Sequence, residues 1–65
     1  MLNTYAPTLT PVHTYRIHFQ APTGDYASED VTSTERRYED SYTDVVERFQ
    51  RTYPAAKVCE VDLVA

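Results

Sequence analysis

The stretch Val12-His13-Thr14-Tyr15-Arg16-Ile17-His18-Phe19-Gln20 constrains this chain more than any other. Tyr15, Ile17 and Phe19 alternate with Arg16, His18 and Gln20. A period of two in aromatic and β-branched residues marks a strand with one apolar face. Such a strand is stable only if something covers that face. Ala21-Pro22-Thr23-Gly24-Asp25 follows it. Pro22 presets φ to about −65°, and Gly24 accepts positive φ, so this segment reads as a turn.

The cover is a helix. Over residues 42 to 53, Tyr42, Val45, Val46, Phe49 and Tyr53 fall on one helical face. Asp44 with Arg48, and Glu47 with Arg51, are acid-first pairs four residues apart, each contributing a few tenths of a kcal/mol. The acids precede the arginines, which suits the helix dipole. Ser41 with Asp44 three residues on resembles a capping box and puts the start near Asp40 and Ser41. Pro54 ends the helix by pushing Tyr53 out of the α region. Residues 56 to 64 read as a last strand, with Cys59, Val61 and Leu63 on the covered face and Val58, Glu60 and Asp62 on the other.

Residues 26 to 40 admit two readings. Tyr26, Val31 and the Thr32-Ser33-Thr34 cluster suit the return strand of a hairpin that ends near Arg37. Alternatively, the helix begins early, near Thr34, and Tyr38 extends its apolar stripe. Residues 1 to 11, with Pro7 and Pro11, read as an extended N-terminal arm, on which Leu2, Tyr5 and Leu9 are candidates to dock. Residues 12 to 65 then form a single α+β domain of order β-β-α-β. It is a small two- to three-stranded antiparallel sheet with one amphipathic helix packed on one face. At least one strand edge stays open, a template for strand addition or dimerisation.

Composition narrows the functional classes. A chain of 65 residues makes one domain. It buries only roughly 60% of its unfolded surface and lacks the bulk to wall a deep pocket, so catalysis is not expected. Cys59 is the single cysteine, so no internal disulfide forms, and a reducing, intracellular setting is expected. No apolar run is long enough to span a membrane, and the N-terminus lacks the basic-then-apolar pattern of a signal peptide. No metal or other cofactor is expected. His13 and His18 have opposite parity on one strand and cannot share an ion, and Cys59 has no second ligand near it in sequence. On a covered strand face, Cys59 reads as a small apolar filler rather than a nucleophile. One glycine cannot build a phosphate loop.

The net charge of −4 has the wrong sign for direct contact with nucleic acid, and Arg36 and Arg37 sit among Glu35, Glu39 and Asp40. The distribution of charge says more than its sum. Residues 1 to 24 carry +1 and residues 48 to 65 carry +1, while residues 25 to 47 hold eight acids and two arginines, net −6. Tyrosines interrupt that acidic block, and tyrosine is enriched at interfaces. The block is either a solvated face that aids solubility or a surface that docks on a basic region of another protein. In the second case Glu29, Asp30, Glu35, Glu39, Asp40 and Asp44 are the candidate electrostatic contacts. Tyr38 is the candidate anchor, with Tyr26 and Tyr42 as the other tyrosines in reach. A partner whose basic surface normally holds nucleic acid would make the block a nucleic-acid mimic, with fast, salt-sensitive association. The alternative is a small structural subunit or homodimer assembled through open strand edges.

The run Tyr15-Arg16-Ile17-His18-Phe19, a helix closing on Phe49-x-x-x-Tyr53-Pro54, and Ala56-Lys57-Val58-Cys59-Glu60-Val61 together resemble a layout found in small phage and mobile-element proteins, anti-CRISPR inhibitors among them. The resemblance covers about residues 13 to 64. It implies a non-enzymatic binder of a larger host protein or complex, working in the cytoplasm of a bacterial host cell, and it assigns no catalytic residue. The acidic insert at 25 to 40 and the missing glycine after Pro54 depart from the layout.

Overall fold

The computed structural model describes residues 11 to 65. The expected N-terminal arm therefore lies outside the described residues, apart from Pro11. The element order is β1 (His13–Gln20), β2 (Tyr26–Ser33), α1 (Tyr38–Thr52) and β3 (Lys57–Leu63). The three strands form one antiparallel sheet in the order β2-β1-β3, with β1 at its centre. The chain is a small α+β fold of β-β-α-β order, as its periodicities predict.

The hairpin between β1 and β2 is built by its turn chemistry. The Gly24 amide donates to the Ala21 carbonyl at 2.8 Å, and the Ala21 amide donates to the Asp25 carbonyl at 2.8 Å. Pro22 occupies the position where a fixed φ helps, and Gly24 takes φ 97°, a value other residues adopt at a cost. The turn sets the register: Gln20 faces Tyr26, Ile17 faces Glu29 and His13 faces Ser33.

The hairpin reading of residues 26 to 40 holds, with the second strand ending at Ser33 rather than near Arg37, and the helix starts at Tyr38 rather than near Thr34. Ser33 makes the bend. Its buried hydroxyl accepts the Glu35 amide at 3.1 Å and donates to Asp44 Oδ2 at 2.6 Å. The helix thus begins a turn before the Asp40–Ser41 signal. Its cap residue is Arg37, which offers no side-chain bond, so the Ser41–Asp44 capping box does not form. Ser41 is buried instead and serves the core. Its hydroxyl donates to the Tyr38 carbonyl at 2.9 Å. The Tyr15 hydroxyl shares a hydrogen bond with Ser41 Oγ at 2.6 Å and lies 3.2 Å from the same Tyr38 carbonyl oxygen. The expected end holds: Tyr53, before Pro54, leaves the helix with φ −129° and ψ 71°.

The core is Tyr15, Ile17, Val45 and Phe49, with Phe19, Val31, Val46, Ala56, Val58 and Val61 packed around it. Full burial of a side chain such as Ile17 or Phe49 contributes roughly 1.5–3 kcal/mol. The predicted stripe on α1 is narrower than its spacing suggests. Val45 and Phe49 are buried, whereas Tyr42 and Tyr53 stay 48% and 42% exposed. These two rings lie against the core by one side only. Tyr42 meets Tyr15 edge-on at 6.1 Å between centroids, and Tyr53 stacks on Phe19 at 6.4 Å.

The predicted alternation in β3 breaks at one place. Glu60 faces His18 but Val58 faces Phe19, so Cys59 is an extra residue, a β-bulge. Val58 and Val61 therefore both turn toward the helix side, and Cys59 is exposed rather than an inner filler. No helix among the described residues is long and apolar enough to cross a membrane.

Candidate functional site

The acidic block is dealt to several surfaces by the fold. In β2, Glu29 faces Ile17 and so shares the helix side of the sheet, while Asp30 faces Arg16 on the open side. There the Arg16 guanidinium grips both Asp30 oxygens, at 2.8 and 3.2 Å, which holds the Asp30 carboxyl below its usual range. Next to it on the same face, His18 Nε2 lies 2.9 Å from Asp62 Oδ2. Asp30 thus has its charge met by Arg16 across the strands.

Tyr26 and Tyr38 are separated along the sheet. Tyr26 pairs with Gln20 at the hairpin end of β1, whereas Tyr38 lies over His13 at the other end, with ring centroids 4.4 Å apart. His13 Nε2 also lies 3.0 Å from the Arg36 carbonyl oxygen, so this ring fastens the start of the helix to the start of β1. Tyr38 and Tyr26 remain 62% and 76% exposed. Glu39 is paired with Arg37 at 3.2 Å in a contact open to water, and Asp40 lies 4.0 Å from the same guanidinium. Exposed pairs of this kind contribute at most about 1 kcal/mol.

Three candidates do converge. Glu35, from the loop after β2, lines a shallow concavity of about 360 Å³ together with Asp40, Thr43, Asp44 and Glu47 of α1. Ser33 steers Glu35 there through its bond to the Glu35 amide. Asp44 forms the floor. It accepts from Arg48 Nε at 2.9 Å and from the Ser33 hydroxyl, and these bonds, Arg48 first, hold its carboxyl below the usual range. Arg48 in turn donates to the Thr32 carbonyl, clamping α1 to β2. Glu47 makes no ion pair with Arg51 among the described residues, so its carboxylate is left for the concavity. Glu47 and Thr43 join the site without being expected from the charge pattern alone. Their signal was present: positions 40, 43, 44 and 47 have the spacing of one helical face.

Of the seven candidates, Glu35, Asp40 and Asp44 are brought together. Tyr38 and Glu39 stand at the start of the same helix. Glu29 and Asp30 lie on opposite faces of the sheet. Among the described residues no three His, Cys, Asp or Glu side chains gather as metal ligands would. His13 and His18 lie on opposite faces, as their parity requires.

Comparison with known proteins yields no match: no family model, curated protein or solved structure corresponds to this chain.

Proposed function

We propose that the protein is a non-enzymatic binding module that docks the acidic face of its loop and helix on a basic surface of a larger protein. The observation that carries this reading is the convergence of four carboxylates, from Glu35, Asp40, Asp44 and Glu47, on one concavity. Only Asp44 is spent on an internal clamp, with Arg48 and Ser33. Asp40 has only the water-exposed Arg37 guanidinium 4.0 Å away, and Glu35 and Glu47 form no ion pair among the described residues, so complementary charge on a partner accelerates association and makes it salt-sensitive. Tyr38, exposed at the head of the same helix, supplies an amphipathic ring. The same face would compete with nucleic acid on a partner whose basic surface normally binds it. That role fits the resemblance to small phage inhibitors of host machinery.

The test begins with affinity capture from the native host at low and high salt. Binding of the captured protein is then compared between the wild type and a Glu35→Lys, Asp40→Lys, Glu47→Lys variant. These positions leave the Asp44–Arg48 clamp intact. The expected result is at least a tenfold loss of affinity, on the order of 1.4 kcal/mol, with a weaker salt dependence. Equal affinity at low salt would reject the acidic-face mechanism.

A further inference from the structure

The two edges of the sheet differ in what they offer a second copy of this chain. Both β2 and β3 are edge strands, since β1 lies between them. Antiparallel pairing of β2 with itself about its middle, centred on Glu29 or on Asp30, would set that carboxylate against the same residue of the second copy, a like-charge contact across the strands. The β3 edge is different. The Val64 amide donates to the Thr14 carbonyl at 2.8 Å, so the alternation of an antiparallel ladder turns the backbone groups of Val61 and Leu63 toward the open edge. Among the described residues nothing pairs with them. The helix is clamped toward β2 through Asp44 and Arg48, so the helix-facing side chains of β3 are incompletely covered. Val58 and Val61 are half-buried, and Leu63 is 48% exposed.

The bulge at Cys59 decides how two such edges can meet. Opposed residues in an antiparallel ladder share a face. In an unbroken strand, residues three apart lie on opposite faces, but the extra residue puts Val58 and Val61 on the same one. Lys57 and Asp62, facing Gln20 and Arg16, lie together on the other. In one antiparallel register Val58 opposes Val61 of the second copy while Lys57 opposes Asp62 of the second copy. The two-fold repeats both contacts. Neighbouring registers fail: centring the pair on Glu60 opposes that residue to its own copy, and centring it on Val61 opposes Glu60 to Asp62 of the second copy. Faces and charges therefore select the same alignment.

We propose that the protein is a homodimer in which β3 pairs antiparallel with β3 of a second copy in this register. The result is one continuous sheet of six strands, order β2-β1-β3-β3-β1-β2, with both helices on the same face. Pairing satisfies the edge backbone groups and adds an apolar neighbour to each Val58 and Val61. The acidic concavity lies on the other flank of α1, so both copies present it. The dimer does not depend on the acidic face having a partner.

Sedimentation of the full-length chain from about 1 to about 100 μM tests this, a range that spans weak to moderate self-association. A monomer–dimer equilibrium is expected. Lys57→Glu, an exposed change that leaves the core intact, should raise the dissociation constant about tenfold, since two cross-strand attractions become repulsions. Asp62→Lys should do the same, and the Lys57→Glu, Asp62→Lys double variant should restore the wild-type constant. Circular dichroism confirms that each variant folds. Amide exchange of the wild type should slow at Val61 and Leu63 as concentration rises. A monomer throughout the range overturns the proposal. So does a dimer that ignores both charge reversals, or one whose concentration-dependent protection falls on β2.

Discussion

The two flanks of α1 are held in contrasting ways. Toward β2 the contacts are polar and directional: Ser33 to Asp44 and Arg48 to the Thr32 carbonyl. Toward β3 the helix offers Val46 and the exposed rings of Tyr42 and Tyr53, and no hydrogen bond crosses to the strand among the described residues. The polar flank fixes where the helix sits, because each bond has a preferred length and angle. The apolar flank contributes area without direction. A domain this small cannot close both sides of its helix over three strands. It holds the β2 flank with directional bonds and leaves the β3 flank partly exposed.

The largest expected effect separates the centre of the sheet from its edge. Ile17 of β1 is fully buried beneath the helix. Ile17→Ala should cost about 2–5 kcal/mol, enough to unfold a large share of the molecules in a domain of this size. Leu63, opposite Tyr15 but 48% exposed, should cost under about 1 kcal/mol on the same change. Urea denaturation of both variants, at a dilution that keeps the chain monomeric, measures the difference. Equal losses would mean that β3 is as well covered as β1, and the asymmetry of the two flanks would fail.

The polar flank gives the next effect, and it depends on pH. Arg48 and Ser33 hold the Asp44 carboxyl below its ordinary value, so the folded state binds that proton more weakly than the unfolded chain does. The stabilisation is fully present above the unfolded value of about 3.9. It is lost as pH falls from there through the depressed folded value. Asp44→Asn should cost about 1 kcal/mol at neutral pH. It should also make the variant's stability fall less steeply than the wild type's below about pH 4. Thermal melts of both proteins across the acid range check the slope. Parallel acid profiles would show that the clamp adds nothing to the polar flank.

The contrast also explains what could be read from residues alone. The alternation Tyr15-Ile17-Phe19, the Pro22–Gly24 turn and the Pro54 stop are local signals, and each appears where the sequence puts it. The helix starts before its Ser41 signal although Ser41 carries a hydroxyl suited to capping. In the folded chain that hydroxyl is wanted by a Tyr15 phenol 26 residues away, and a long-range bond outweighs the local preference. The acidic block was legible as charge but not as a surface. Strand pairing sends Glu29 and Asp30 to opposite faces, and Asp30 finds Arg16 across the sheet. Only the part of the block on α1, where the spacing of Asp40, Asp44 and Glu47 is itself helical, stays together.

The bulge in β3 is the smallest of these departures, and it gives the finest test of the open flank. A strict period of two buries Cys59, and a buried cysteine changed to serine would leave a hydroxyl short of partners. With the bulge, Cys59 is exposed and its thiol meets only the Lys57 carbonyl, 3.5 Å away. Cys59→Ser should then shift stability by less than about 0.5 kcal/mol. The wild-type thiol should react with a water-soluble reagent at a rate within a few-fold of the denatured chain's. Slow labelling together with a costly serine would return Cys59 to the inner face. Val58 would then turn outward, opposite in face to Val61, and the register that sets Val58 against Val61 of a second copy would no longer be available. The chemistry of one side chain therefore reports on which residues of β3 the open flank presents.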